Sequence, residues 1–196
     1  ILLKPNGVAT FEFPHLLKLV NENQFDTIYH EHFSYLSLTA LEAIFKENGL
    51  QIFDVEEHTT HGGSLRLFAQ RSDTGVQIVS EQVIKLRKRE MDAGMNSDNF
   101  YKNFQEKANI VKDDLLNFLI KAKQDGKKVV AYGAAAKGNT LLNYAGIRPD
   151  LLSYVVDKSP SKQGKYMPGS RIPIHTEQFL KDDKPDYVLI LPWNLK

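Results

Sequence analysis

The sequence has no cysteine, one tryptophan and no long apolar run. Without cysteine there is no disulfide framework, thiolate nucleophile or thiolate metal site. No apolar stretch approaches the ~20 residues that a membrane helix needs, and no secretory leader is visible. We therefore expect a cytoplasmic protein without a membrane partner. The charges nearly cancel, at a net +1, which argues against nucleic acid as a partner.

The chain has 196 residues, of which 42% are hydrophobic. This composition permits a real core, and the length suits one large domain or one and a half small ones. The first residue is isoleucine rather than methionine, so we expect an incomplete N-terminus.

The first part of the chain reads as a small sheet with a helix. Alternating apolar residues predict strands over Val8–Phe13, Leu50–Glu57 and Ser64–Gln70, the last two as an antiparallel pair. Apolar residues at helical spacing predict a helix to about residue 48, capped by Ser37 or Thr39. We expect the Val8–Phe13 strand beside the antiparallel pair.

The later part of the chain changes character twice. Residues 73–124 are charge-rich with apolar positions every three or four residues, which indicates a helical connector. Strand patterns then alternate with helix patterns, and this order predicts a parallel sheet with right-handed crossovers. The four predicted strands are Lys128–Gly133, Leu151–Val156, Arg171–Ile174 and Tyr187–Leu191. A helix should follow the last strand, so we expect this unit to be truncated.

The stretch Tyr29–Tyr35 reads Tyr-His-Glu-His-Phe-Ser-Tyr. In a core, the hydroxyl, imidazole and carboxylate groups of these side chains would all need hydrogen-bond partners. Histidine titrates near neutrality and can move protons, whereas neighbouring carboxylates and phenols can orient an imidazole or hold an oxyanion. The spacing alone is equally consistent with a solvated loop before a helix.

A nucleotide-binding alternative rests on the turn Gly133–Gly138, which follows a strand and opens a helix. Asp157 lies where a ribose-binding acid of a dinucleotide fold would stand. However, Ala135 occupies the position of the second glycine, and its Cβ would keep a pyrophosphate at a distance. The helix start, together with Lys137, could still receive an anion.

A metal site is a third alternative. His30 and His32 are two residues apart, His58 and His61 are three apart, and Glu31 lies between the first pair. Such spacings can ligate a metal. The tyrosines and the Gly62-Gly63 pair have no explanation in a metal site, so we expect none. A protein-interaction role for the helical connector also stays open.

Three separated segments resemble one family. Tyr29–Tyr35, His61–Arg66 and Tyr132–Thr140 together resemble the S-adenosylmethionine-dependent sugar C-methyltransferases, which methylate a carbon of a nucleotide-linked keto-deoxysugar. The stretch around Val8 resembles the fifth-strand region of a methyltransferase sheet. The resemblance covers nearly the whole chain, but the chain covers only part of the family.

The resemblance implies roles for individual residues. His32 would be the base that removes the proton next to the ketone, Glu31 would orient or polarise the site, and Tyr29 would contact the sugar oxygen or the enolate. His30 would be structural. The implied substrate-binding residues are Tyr35, His61, Gly62, Gly63, Gly133, Lys137 and Gly138. For the Gly62-Gly63 pair, a tight bend between edge strands is an equal alternative.

The resemblance also implies an α/β architecture in three parts. Residues 1–72 would be the C-terminal half of a class I methyltransferase domain, with a partial Rossmann-like sheet, and residues 73–124 the helical connector. Residues 125–196 would be an incomplete Rossmann-like domain that helps enclose the nucleotide sugar. The family's zinc-binding cysteine cluster and glycine-rich cofactor loop are missing. We therefore expect most of the S-adenosylmethionine site to lie outside this chain, which alone should be inactive.

Overall fold

The computed structural model describes residues 3–195, which form two compact units. The first unit comprises residues up to Gln24 together with Phe33–Phe104. The second comprises Phe25–His32 together with the residues from Gln105 onward. The short segment Phe25–His32 thus belongs to the second unit, although the first unit flanks it on both sides in the sequence.

The first unit contains a three-stranded antiparallel sheet. Its strands are β1 (Val8–Pro14), β2 (Leu50–His58) and β3 (Ser64–Arg71), in the order β1-β3-β2. The central strand β3 pairs with both neighbours, and its residues Leu65, Leu67 and Ala69 are buried in the core with α2 and α3. The predicted placement of the first strand beside an antiparallel pair is confirmed.

Three α-helices accompany this sheet in the described part of the first unit. They are α1 (Leu16–Asn21), α2 (Leu38–Glu47) and α3 (Glu81–Asp92). Ser37 caps α2 by accepting a hydrogen bond from the amide of Ala40, at 3.1 Å, so it is the cap rather than Thr39. Apolar residues of α2 and α3 pack on β2 and β3 in one core, formed by Leu38, Leu41, Phe45, Ile52, Val55, Leu65, Leu67, Ala69, Val83 and Leu86.

A buried hydrogen bond between His15 and Glu90 joins elements of the first unit. Nε2 of His15 lies 2.8 Å from a carboxylate oxygen of Glu90, and both side chains are almost completely buried. Glu90 also accepts hydrogen bonds from the amides of Leu38 and Thr39 and from the Thr39 hydroxyl. Burial alone would raise the pKa of Glu90, but these hydrogen bonds outweigh it and hold the pKa below its usual range.

The second unit contains a parallel sheet of four strands. They are β4 (Val129–Tyr132), β5 (Val155–Val156), β6 (Ile174–His175) and β7 (Tyr187–Ile190), in the order β6-β5-β4-β7. The helices are α4 (Phe104–Gln124), α5 (Ala136–Tyr144) and α6 (Glu177–Asp183). The predicted α/β class with a parallel, Rossmann-like sheet is confirmed.

Two strands of this sheet differ from the prediction. Only Val155–Val156 of the predicted Leu151–Val156 strand is paired, because the residues before it form a turn that follows α5. The predicted Arg171–Ile174 strand is shifted to Ile174–His175. Arg171 has a φ of 58°, a left-handed conformation that a strand cannot contain.

The helices of the predicted connector are divided between the two units. Helix α3 packs on β2 and α2, whereas Leu119 and Ala122 of α4 belong to the core of the second sheet. Short 3₁₀ helices complete the chain at Phe25–Thr27, Thr60–Gly62, Asp98–Phe100 and Trp193–Leu195. Within residues 3–195, no helix has the length and apolar character to cross a membrane.

Glu90→Ala should lower the free energy of unfolding by about 3–5 kcal/mol, because it leaves two backbone amides and His15 without their buried acceptor. The control Glu81→Ala, on the exposed surface of the same helix, should cost less than about 1 kcal/mol. Urea unfolding followed by circular dichroism measures both values.

The same variant has a defined pH dependence. Because the folded pKa of Glu90 is lowered, its contribution to stability is present above its ordinary value of 4.5 and is lost as the pH falls below it. The stability difference between the parent chain and Glu90→Ala should therefore shrink in acid. A difference that grows in acid would contradict the ionised state of Glu90.

Candidate functional site

The segment Phe25–His32 is fixed at its start by buried contacts within the second unit. Phe25, Asp26 and Thr27 form a 3₁₀ turn, and all three are buried. The Phe25 ring packs against Tyr144 of α5, with ring centroids 5.2 Å apart. The Trp193 indole N–H donates to Asp26 Oδ2 at 2.6 Å. These contacts fix the base of a loop whose later residues carry the polar groups.

Tyr29 and His32 form a defined pair in this loop. His32 Nδ1 lies 2.9 Å from the carbonyl oxygen of Thr27, and Nε2 lies 3.2 Å from the Tyr29 hydroxyl. A carbonyl can only accept, so Nδ1 carries the proton and donates it. In neutral His32 the lone pair is therefore on Nε2, and the Tyr29 hydroxyl donates to it. This is the tautomer that a general base at Nε2 requires.

His30 and Glu31 lie at the exposed tip of the loop. Their side chains are 84% and 69% exposed, and His30 Nε2 lies 3.8 Å from a Glu31 carboxylate oxygen. The expectation that His30 is structural is wrong, because a structural side chain would be packed. His32 thus bonds to the Thr27 carbonyl and the Tyr29 hydroxyl, whereas the His30 side chain is exposed.

A cleft of about 370 Å³ opens beside this loop in the second unit. Three parts of the unit form its walls: the loop itself, the start of α5 and a segment after β5. The lining residues include Tyr29, His30, Ala134, Ala135, Ala136, Asn139, Lys162, Lys165 and Tyr166. The cleft lies at the carboxyl end of β4, where open α/β sheets bind their ligands.

Close packing explains why glycine occupies positions 133 and 138 around the start of α5. Gly133 has a φ of 89°, and a Cβ there would lie 2.5 Å from Cδ of Pro192. A Cβ on Gly138 would lie 2.6 Å from Cβ of Leu191. Both glycines therefore allow α5 to approach the end of β7. This requirement explains them without a phosphate, and neither lines the cleft.

Lys137 is turned into the protein rather than towards the cleft. It is 5% exposed, its ammonium lies 3.2 Å from Asn194 Oδ1, and it sits 4.4 Å from the centre of the Trp193 ring. Burial lowers the pKa of Lys137, and the nearby charge of Asp26 opposes this shift. Burial also raises the pKa of Asp26, and its indole hydrogen bond offsets this only in part. Lys137 and Asp26 thus form one buried electrostatic network with Trp193.

The Asp157 carboxylate accepts hydrogen bonds from backbone amides of this chain. One of its oxygens accepts from the amide of Ala134 at 2.7 Å, and the other accepts from the amide of Ser159 at 2.8 Å. The Lys162 ammonium lies 3.4 Å from the same carboxylate. These bonds join the ends of β4 and β5. A ribose-binding acid would be aimed at a ligand, so this geometry disfavours the dinucleotide alternative.

The other predicted substrate residues, Tyr35 and His61–Gly63, lie in the first unit. His61 has a φ of 56° and is exposed, and the carbonyl of Gly62 accepts a hydrogen bond from Gln24 at 2.7 Å. Gly63 has a φ of 119°, and a Cβ there would lie 3.0 Å from the Lys18 side chain. These glycines form the bend between β2 and β3, and their roles towards substrate stay predictions.

A metal centre needs several ligands at one point. Among the residues that the structure describes, no three His, Asp or Glu side chains come together in that way. His58 and His61 belong to the first unit and His30 and His32 to the second. The spacing of the histidines in the sequence thus does not correspond to a cluster within either unit.

Comparison with known proteins identifies the family of this chain. The family model of the C-methyltransferase C-terminal domain matches residues 59–196, which is more than half of the sequence. The chain belongs to the C-methyltransferase family. It is 37% identical over 193 residues to the C-methyltransferase NovU of Streptomyces niveus. That match covers 98% of this chain but only 46% of the relative, so this chain spans about half the length of the curated relative.

Sequence reasoning missed two groups of site residues in this C-methyltransferase chain. Asp26 and Trp193 fix the loop but lie far apart in the sequence. Lys162 and Lys165 line the cleft from the segment between β5 and β6, to which the sequence analysis assigned no site residue. The lone tryptophan was one available signal, because its indole N–H needs a partner when it is buried.

Trp193→Phe should loosen the loop, because it removes the indole donor to buried Asp26. We expect a loss of about 1–3 kcal/mol in stability. We also expect faster hydrogen exchange at the amides of Ile28 and His32, which bond within the loop. Tyr187→Phe is the matched control, since Tyr187 is a half-exposed aromatic residue of β7. Unchanged exchange in Trp193→Phe would show that the indole does not hold the loop.

Asp26→Asn tests the charge state of the same site. The folded pKa of Asp26 is raised above its ordinary 3.8, so the stability it contributes is greatest below that value and is lost as the pH rises through the folded pKa. The uncharged variant should therefore gain stability relative to the parent chain between about pH 4 and neutrality. Urea unfolding at several pH values measures this gain, with the exposed Asp182→Asn as control. A relative loss on raising the pH would refute the raised pKa.

Proposed function

We propose that the intact protein transfers a methyl group from S-adenosylmethionine to a carbon of a nucleotide-linked keto-deoxysugar. Membership of the C-methyltransferase family supports the reaction class, and the Tyr29–His32 pair supports an enolate route. The single observation that carries the proposal is the hydrogen bond from His32 Nδ1 to the Thr27 carbonyl. That bond leaves Nε2 as the site that can take a proton.

Tyr29 and His32 supply the two groups that enolate formation needs, a base and a hydrogen-bond donor for the oxyanion. Nε2 of His32 removes the proton from the carbon next to the ketone, and the electron pair of that C–H bond moves towards the ketone oxygen. The Tyr29 hydroxyl, 3.2 Å from Nε2, transfers its hydrogen bond from the imidazole to this oxygen and stabilises its negative charge. Substrate binding therefore frees the base and supplies the oxyanion donor in one rearrangement.

The cleft of the second unit provides a place for the nucleotide part. Lys162 and Lys165 bring positive charge to a wall formed with the first turn of α5. Ala135 at the start of α5 has no side chain that caps the helix. Backbone amides at a helix start favour a phosphate. The exposed ring of Tyr166, also at the cleft, offers a surface on which a base or sugar can pack.

The turn from β4 to α5 is not arranged to bind S-adenosylmethionine. The chain's glycine-rich turn from β4 to α5 is packed against Pro192 and Leu191, and Asp157 beside it is bonded to backbone amides. When bound, the cofactor supplies an electrophilic methyl group, and we derive no step through it. We propose that it binds mainly to other parts of the intact protein.

The remaining assignments are proposals of the same kind. The β1-β3-β2 sheet suits the end of a larger methyltransferase sheet, in which β1 is the fifth strand. Glu31, 69% exposed beside the pair, is positioned to polarise a bound substrate. Lys137, Gly133 and Gly138 are better explained by packing than by substrate contact.

His32→Asn in the intact enzyme should abolish methyl transfer while nucleotide-sugar binding largely survives. Proton abstraction belongs to the transition state, so loss of the base lowers the rate more than the ground-state affinity. The expected loss in rate is on the order of 10²–10⁴. The decisive measurement is exchange of the sugar's α-proton with deuterated solvent, followed by proton NMR.

Two further variants make this experiment specific. Tyr29→Phe should slow exchange less than His32→Asn, because it removes the oxyanion donor but keeps the base. His30→Asn is the matched comparison and should slow exchange less than His32→Asn, because the exposed His30 side chain lines the cleft without the carbonyl contact that orients His32. Normal exchange in His32→Asn together with loss in His30→Asn would show that the other histidine is the base.

A further inference from the structure

The loop of the candidate site lies along one face of α5. The Phe25 ring, at the start of the loop, packs on Tyr144 at the end of the helix. Thr140 and Ala136 come four and eight residues before Tyr144, so all three lie on the same helix face. Thr140 and Ala136 also line the cleft together with Tyr29. The loop therefore follows α5 from its last turn back to its first.

The Thr140 hydroxyl links this helix face to the loop. Its Oγ1 lies 3.3 Å from the carbonyl oxygen of Ala136 and 3.3 Å from the carbonyl oxygen of Ile28. A hydroxyl has one proton to donate, so the two carbonyls share it. The bond to Ala136 is the usual one for a threonine inside a helix, whereas the bond to Ile28 reaches the loop.

Ile28 occupies a sensitive position in the loop. Its carbonyl belongs to the planar peptide that leads into Tyr29. The peptide before it carries the Thr27 carbonyl, which orients His32. The Ile28 side chain is 46% exposed, so its own packing holds it only in part. The contact with the helix thus acts where the buried turn gives way to the exposed tip of the loop.

We propose that Thr140 is a positioning residue, which holds the peptide between Ile28 and Tyr29 against α5. It thereby sets where the Tyr29 hydroxyl and Nε2 of His32 stand at the edge of the cleft. This inference rests on the proposed function, because it assigns Thr140 a role towards the same base. Thr140 acts through the loop rather than on the reacting atoms.

The first test is NMR of the 196-residue chain with Thr140→Val, which keeps the branched shape and removes the hydroxyl. The ¹³C signal of the Ile28 carbonyl should move upfield, because this oxygen loses a donor. Hydrogen exchange at the His32 amide should become about two- to tenfold faster. The indole N–H signal of Trp193 should stay in place, since its bond to Asp26 is separate from Thr140.

Two matched variants accompany this measurement. Thr140→Ser keeps the hydroxyl and should restore both the carbonyl signal and the exchange rate of the parent chain. Thr10→Val makes the same change as Thr140→Val at an exposed position of β1 in the first unit, and it should alter neither.

The second test measures methyl transfer by the intact enzyme. A base displaced from its productive geometry lowers the rate of the chemical step more than the affinity for substrate. Thr140→Val should therefore lower kcat by about tenfold and change KM by less than about twofold. Thr140→Ser should recover most of kcat, and Thr10→Val should match the parent enzyme.

Three results would overturn the role of Thr140. They are unchanged Ile28 and His32 signals in Thr140→Val, a Thr140→Ser variant as slow as Thr140→Val, and a rise in KM without loss of kcat. The last result would show that Thr140 binds the substrate directly. Failure of the proposed function looks different, because the parent enzyme itself would then not exchange the sugar's α-proton. That result would overturn the catalytic role of the loop even where Thr140→Val moves the NMR signals.

Discussion

The hydrogen bond between the Trp193 indole and the buried carboxylate of Asp26 is the contact on which the candidate site depends. At 2.6 Å, it joins the base of the loop Phe25–His32 to the last helical turn of the chain. The loop is thereby part of the second unit, although the first unit surrounds it in the sequence. Together with the packing of Phe25 on Tyr144, this bond fixes the turn whose Thr27 carbonyl orients His32.

Orientation of an imidazole by a backbone carbonyl is a simple way to make a base. The Thr27 carbonyl accepts the hydrogen bond of Nδ1–H, so the lone pair of the neutral ring is on Nε2. In the reaction proposed above, the Tyr29 hydroxyl would hold that nitrogen until a ketone oxygen competes for it. The same logic appears in the first unit, where Glu90 fixes the proton of His15 on Nε2. There the other ring nitrogen, Nδ1, is buried and has no hydrogen-bond partner within residues 3–195.

Buried charge is arranged differently in the two units. Glu90 receives enough hydrogen bonds to stay ionised, so its pKa lies below the usual range despite burial. Asp26 receives an indole N–H and the field of Lys137, and burial prevails, so its pKa is raised. The contrast shows that the hydrogen bonds that an acid accepts, and not burial alone, decide its charge state.

The sequence by itself determined the elements and the family. Apolar periodicity located the antiparallel strands and the parallel sheet, and the Tyr29–Tyr35 motif with two later segments indicated the C-methyltransferases. These signals are local, so they can be read along the chain. Only the tertiary structure decided that Lys137 is buried beside Trp193 and that Asp157 accepts hydrogen bonds from backbone amides. It also decided that Nδ1 of His15 is buried with no hydrogen-bond partner among the described residues. Each of these depends on partners distant in sequence, and no local pattern specifies which groups long-range packing will bring together.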